Sequence, residues 1–217
     1  MKIPAMISVM LLCTGTALHG ADSAPFLSLS ELAEKADLVA VVQVSDTDYV
    51  YTRSFPSEGS AFLNILIAYK PGKYAGKMIE VHEHGLHPHE CYFENPEQLA
   101  GGRRYLVFLR LNPDDPGTYR GLAQGCSLEI LVTAQSRYAL KYPINSIALT
   151  DKLDKLINKY DYHDSHALET EDSLSPDVRK DLLARGLLEH YQGKFKYTYG
   201  IDLTRVRKLI HTGSLEN

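Results

Sequence analysis

The amino-acid sequence predicts an α+β protein built around a small antiparallel β-barrel or sandwich with added helices. Residues 37–143 contain six or seven short segments rich in β-branched and aromatic residues, and turn-forming residues separate them. The residues before and after this region show helical spacing instead. We therefore expect a β-domain over residues 28–145, with a short helix at its start, and a helical extension over residues 150–217 that packs on it.

The short N-terminal helix is predicted from a capping box. Ser28 and Glu31 are three positions apart, so the Ser28 hydroxyl can accept from the Glu31 amide while the Glu31 carboxylate reaches back. The helix should run to about Lys35 and turn its apolar side towards the β-domain.

Seven segments are predicted as strands. The first, over residues 37–44, is apolar on both faces, so both faces should be covered. In the third, over residues 77–84, Ile79 and Val81 take one face and the histidines take the other. The remaining strands are expected over residues 62–69, 104–111, 118–122, 127–132 and 136–142, and residues 53–60 are expected to form a loop.

The C-terminal extension is predicted to be mainly helical. Apolar residues at helical spacing predict a helix over residues 151–160. Ser175, which precedes a proline, predicts the start of a second helix that should reach about Tyr191. A last helix is expected over residues 203–211, after a segment at residues 193–200 that is either a strand or an ordered loop.

Residues 1–20 have the features of a signal peptide. Lys2 precedes a short apolar run, and small residues follow it, so cleavage is expected near residues 20–24. No later apolar run approaches the roughly eighteen residues of a membrane span. We expect a periplasmic or secreted monomer without a transmembrane segment. A formal net charge of −4 argues against a nucleic-acid binder, which would show a basic patch.

The exported chain would retain two cysteines, Cys91 and Cys126. An even number in an oxidising compartment predicts one disulfide. Closing a ring of about 36 residues would stabilise the fold by roughly 4 kcal/mol. Two free thiols, or Cys91 as a metal ligand, are the alternatives.

A set of short motifs spans about residues 29–143. Its members are Cys91, Gly102, Tyr105-Leu106-Val107-Phe108, Gly125 and Cys126, with Ala36 to Val39 and Lys70-Pro-Gly72 before them. Together they resemble the netrin-like domain shared with tissue inhibitors of metalloproteases, in particular its uncharacterised bacterial secreted relatives. The resemblance implies a five-stranded OB-like barrel bridged by the two cysteines.

The sequence departs from that family at two points. Tyr92 stands where a glycine often follows the first cysteine. In the family, inhibition of metalloproteases uses a free amino-terminal cysteine to chelate zinc, and the expected mature chain has no such residue. The resemblance therefore does not carry inhibitory activity over to this chain.

Four histidines within eight positions are the candidate metal ligands. They are His82, His84, His87 and His89, and Glu80, Glu83 and Glu90 could add oxygen. A nitrogen-rich set of this kind suits zinc or copper, although no H-E-x-x-H or C-x-x-C motif accompanies it. The alternative is an exposed, histidine-rich edge without a metal. A second cluster, Asp161, His163, Asp164 and His166, is a possible metal patch, with a solvated loop as the alternative.

Neither a nucleophile turn nor a glycine-rich phosphate loop is present in the sequence. We therefore expect a non-enzymatic binding module without a cofactor, whose partner is a protein or an envelope component. A periplasmic metal-binding protein that uses the histidine cluster, or a protein similar to protease inhibitors, is the alternative.

Overall fold

The computed structural model describes residues 26–73, 76–85, 91–97 and 100–214. Its α-helices are α1 (Leu29–Lys35), α2 (Pro176–Ala184) and α3 (Leu203–Thr212). The strands of the first part of the chain are β1 (Leu38–Thr52), β2 (Phe55–Lys70), β3 (Met78–His84), β4 (Arg104–Leu111), β5 (Tyr119–Gly121), β6 (Ser127–Val132) and β7 (Tyr138–Tyr142). Those of the second part are β8 (Ile157–Lys159), β9 (Leu168–Glu169), β10 (Leu188–Tyr191), β11 (Lys194–Tyr197) and β12 (Tyr199–Asp202).

Strands β1 to β5 close a barrel in the order β1-β2-β3-β5-β4, because β4 pairs back onto β1. Strands β3 and β5 run parallel, and the other neighbours run antiparallel. The α+β class and the small OB-like barrel are confirmed. The barrel differs from the antiparallel expectation only at the β3–β5 contact.

Side chains alternate between the two faces of the barrel strands. The inward set fills the barrel with Leu38, Ala40, Val42, Val44, Ala61, Leu63, Ile79, Val81, Val107, Leu109 and Tyr119. The outward side chains of β1 and β4, such as Val39 and Phe108, form a second core with α1 and α3. The prediction that the first strand is covered on both faces is thus confirmed.

Helix α1 begins as the sequence predicts. The Glu31 amide donates to Ser28 Oγ at 3.3 Å, and the Ser28 amide donates to Glu31 Oε2 at 2.7 Å. These reciprocal bonds satisfy two donors that would otherwise have no partner in the first turn.

The predicted loop at residues 53–60 is wrong, because β2 begins at Phe55 and only the turn at residues 53–54 remains. Cross-strand pairing overrides the loop-like composition here. Gly59 pairs with Tyr49 at a φ of 124°, and a Cβ on it would lie 2.1 Å from the Asp48 carbonyl oxygen. A residue that weakens strands in isolation is therefore required by the close approach of β1.

The C-terminal extension is less helical than predicted. The expected helix at residues 151–160 is a 3-10 turn, Leu153–Leu156, followed by β8. Helix α2 ends at Ala184 instead of Tyr191, because Gly186, at a φ of 69°, lets the chain turn into the β10–β11 hairpin. Strand β12 pairs with β7, so the extension continues the barrel sheet.

Candidate functional site

Strand β3 places two of the four histidines as predicted. Its burial alternates, with Ile79 and Val81 inside the barrel and His82 and His84 on the outer face. His87 and His89 lie outside the residues that the structure describes.

Both described histidines have partners on the neighbouring strand β2. His82 Nδ1 lies 3.0 Å from Ser60 Oγ, and that hydroxyl donates to Glu80 Oε1 at 2.6 Å. His84 Nδ1 lies 3.3 Å from Glu58 Oε1 at the surface. The second nitrogen of each ring is left for other contacts.

Within the described ranges, no group of three or more His, Cys, Asp or Glu side chains is arranged to hold a metal ion. A site of four histidines would need His87 and His89, so it stays a prediction. Glu83 cannot join His82 and His84 on their face, because its side chain is buried and its Oε1 accepts from the Gly121 amide at 2.7 Å.

The predicted disulfide joins Cys91 to Cys126, with 5.9 Å between the Cα atoms. Both half-cystines are buried against the inward side chains of the barrel. Gly121 passes so close that a Cβ on it would lie 2.8 Å from the Cβ of Cys91. The bonded sulfur of Cys91 is thereby removed from the alternative role of thiolate ligand.

A cavity of about 540 Å³ lies beside the two histidines, where β3, β5 and β4 are neighbours. Its lining comprises His82, Glu83, His84, Arg110, Asn112, Asp114, Asp115, Arg120, Gly121 and Ala123. This cavity brings His82 and His84 together with two arginines that sequence reasoning missed.

The signal for these arginines is the turn that separates β4 from β5. Arg110 and Arg120 are equally distant from Asp115 along the chain, so a hairpin centred on that residue would pair them. They do lie directly opposite each other in the register.

A second exposed feature is the tip of the β1–β2 hairpin. Strand β4 pairs with residues 38–43 of β1, and β3 pairs with residues 58–64 of β2. Nearer the turn, β1 and β2 pair with each other, and the Gly85 amide donates to the Ser57 carbonyl at 2.8 Å. Three large apolar side chains are exposed there: Val50 by 62%, Tyr51 by 52% and Phe55 by 66%.

The base of this hairpin is held by Tyr49. Its hydroxyl accepts from the Phe93 amide at 3.1 Å, and its ring meets that of Tyr92 edge-on at 5.2 Å between centroids. Burial raises the pKa of Tyr49. The segment at residues 91–97 therefore supports the hairpin from one side.

The second acidic and histidine cluster is structural. Asp164 is buried, and it accepts from the Val132 amide at 3.0 Å and the Arg104 guanidinium at 3.3 Å. Asp161 pairs with Lys196 at 2.5 Å. The solvated-loop interpretation is wrong for Asp164 and His166, which are buried, and holds for Asp161 and His163, which are exposed.

No helix in the described ranges is both long and apolar enough to cross a membrane. Comparisons with protein-family models, with the curated proteins and with the solved structures found no match. The resemblance to the netrin-like domain therefore stays an expectation carried by the short motifs alone.

Proposed function

We propose that this protein is an exported, non-enzymatic binding module of the netrin-like kind, and that it meets a partner protein through the tip of the β1–β2 hairpin. The observation that carries the proposal is the exposure of Val50, Tyr51 and Phe55 within six positions. Single exposed apolar residues are common on protein surfaces, whereas a group of large ones marks an interaction site. Aromatic residues are also typical centres of protein interfaces.

The contacts that hold the base of the hairpin favour a role of the tip in binding a partner, because a flexible loop would not need such support. Strands β1 and β2 pair continuously from Val39 to Thr52, with local irregularities. Tyr49 fixes the hairpin to the segment at residues 91–97, where Thr47 also bonds to Asn95. A rigid support reduces the conformational entropy that ordering the tip would cost on binding.

The proposal is tested by photo-crosslinking in the native cell envelope. A photoreactive residue replaces Phe55 in the full-length chain, and Val178 on α2 is the matched control because its side chain is also exposed, by 45%. We expect a discrete protein adduct from position 55, none from position 178, and loss of the adduct when Tyr51→Ser is added.

The same adduct from both positions, or no protein adduct from position 55, would rule out the hairpin tip as the binding site for a partner protein. A lipid adduct at position 55 would show that the hairpin tip contacts the membrane and not a partner protein. Export has a separate test, in which N-terminal sequencing of the protein from the envelope fraction should give a start near residues 20–24.

The metal-binding alternative rests on one observation, that His82 and His84 share the outer face of β3 and line one cavity. The neighbouring guanidinium groups of Arg110 and Arg120 would repel a cation there. Binding of zinc or copper would therefore depend on ligands that outweigh this repulsion, namely His87 and His89.

A further inference from the structure

The cavity beside β3 lies on the outer face of the barrel and collects basic side chains from three neighbouring strands. Val81 of β3 pairs with Tyr119 of β5, and both point into the barrel. The next residue in each strand, His82 and Arg120, therefore points outwards. Arg110 lies opposite Arg120 on β4, so the basic row continues across the third strand.

Two like charges directly opposite each other on paired strands oppose folding, because nothing in the pair itself compensates the repulsion. Arg110 belongs to none of the ion pairs between described residues. The Nε–H groups of Arg110 and Arg120 are both buried and have no hydrogen-bond partner in the described part of the chain. The donor capacity of the two guanidinium groups is thus largely unused.

Three carboxylates, those of Glu83, Asp114 and Asp115, line the cavity beside the arginine pair, so a bound phosphate would compete with them for the guanidinium groups. Asp114 lies 3.7 Å from Arg120, beyond hydrogen-bond distance, and its side chain is 84% exposed. Such a surface contact contributes little. Asp115 is exposed on the same turn, and the Glu83 carboxylate is engaged by the Gly121 amide.

We infer that this cavity binds the phosphate group of a phosphomonoester between Arg110 and Arg120. One guanidinium fork saturates the two oxygens of a carboxylate, whereas a phosphate offers three oxygens and about two negative charges to two forks. The Nδ1 atoms of His82 and His84 already face acceptors, the Ser60 hydroxyl and the Glu58 carboxylate. Their second nitrogens donate to the same phosphate group only when the imidazole rings are protonated.

The size of the cavity indicates that the ligand is larger than the phosphate alone. A volume of about 540 Å³ lies in the range of small-molecule sites. The phosphomonoester can belong to a soluble metabolite or to a lipid headgroup, and the same arginine pair would hold either. The inference does not depend on the hairpin tip, because none of the residues that line the cavity belongs to β1 or β2.

The test measures binding of three probes to the mature chain. Inorganic phosphate and glycerol phosphate are titrated by calorimetry, and vesicles of phosphatidylcholine with and without phosphatidic acid are used for co-sedimentation. We expect Arg110→Gln and Arg120→Gln each to weaken binding about tenfold or more. Asp114→Asn should strengthen binding about two- to threefold, because it removes the competing carboxylate.

Arg137→Gln is the matched control, since Arg137 is exposed on the turn between β6 and β7 and its loss changes the net charge equally. Thermal unfolding should show that removing either cavity arginine leaves stability unchanged or raised, whereas a purely structural arginine would lower it. A variant that fails to fold is replaced by Arg110→Lys, which keeps the charge but loses the bidentate fork.

The outcomes separate the two sources of the ligand. Binding of glycerol phosphate supports a soluble ligand, and arginine-dependent binding only to vesicles with phosphatidic acid supports a headgroup. The inference is overturned if no probe binds, or if Arg137→Gln weakens binding as much as Arg110→Gln does. Neither result bears on the hairpin, whose crosslinking test is independent.

Discussion

Lys141 Nζ donates to Glu129 Oε2 at 2.8 Å, beneath the ring of Tyr197 and between the barrel sheet and the C-terminal strands. Glu129 also accepts from Arg103 at 2.5 Å, and Lys141 also reaches Glu169 at 3.2 Å. Burial is the largest single effect on the pKa of Lys141 and would lower it, but Glu129, Tyr197 and Glu169 together outweigh burial and the pKa is raised. One carboxylate thus joins two cations from different parts of the chain.

Glu129→Gln should destabilise the protein by about 3 kcal/mol, because it leaves two largely buried cations without their shared charge. Chemical denaturation measures the free energy of unfolding. Asp181→Asn is the control, since its pair with Arg185 is exposed on both sides, and it should leave the midpoint nearly unchanged. Equal effects of the two substitutions would contradict a special role for Glu129.

Reduction of the disulfide should lower the free energy of unfolding by about 4 kcal/mol, as expected for the ring that Cys91 and Cys126 close. The double substitution to alanine should reproduce this loss. Intact-mass measurement after alkylation reports the bond directly. Two alkylated thiols without reductant would show that the purified protein lacks it.

Tyr162→Phe should leave stability unchanged or raise it by about 1 kcal/mol. The hydroxyl is buried and has no hydrogen-bond partner among the described residues, so its removal relieves a desolvation cost. Tyr49→Phe is the matched comparison, because it takes the acceptor away from the Phe93 amide and should cost about 1 kcal/mol. Thermal and chemical unfolding of both variants measure the difference, and an equal loss in both would contradict this account.

Stability should fall as the pH rises above about 10. Burial raises the pKa values of Tyr49, Tyr105 and Tyr162 above their unfolded values. A raised pKa means that the folded state keeps a proton that the unfolded state releases, so alkaline pH favours unfolding. Denaturation midpoints over this range, followed with tyrosinate absorbance, check the effect. A midpoint independent of pH would exclude it.

Zinc and copper binding to the purified protein can be measured by equilibrium dialysis. If the histidine cluster is a specific site, about one ion should bind tightly, and His82→Ala with His84→Ala should abolish it. An affinity unchanged by that double substitution would end the hypothesis. His190→Ala, on exposed β10, is a control for weak surface binding.

Patterns within a few residues predicted much of the fold. The capping box of Ser28 and Glu31 and the alternation of Ile79 and Val81 with the histidines depend only on local geometry, and both are confirmed. The segment 104–111 coincides with β4, because its run of apolar residues is long enough to specify a strand that is buried on both faces.

Features that depend on the pairing of strands far apart in the sequence, or on a single turn, were not predicted. The start of β2 is set by its register with β1, which no loop composition reveals. The β10–β11 hairpin turns at Gln192 and Gly193, both with positive φ, and this short signal was outweighed by the helical pattern before it. The cavity depends on the pairing of Arg110 with Arg120 across two strands. The sequence therefore predicted the two histidines of the candidate site but not its two arginines.

The pairing of β12 with β7 has a consequence for biogenesis. The large sheet contains strands from both ends of the chain, and a fragment that stops at residue 145 would leave one side of β7 with open hydrogen-bonding groups. Such edges recruit other chains. Folding as one cooperative unit therefore has to wait until Tyr199–Asp202 have been synthesised, so a chain released early is prone to aggregate before it can mature.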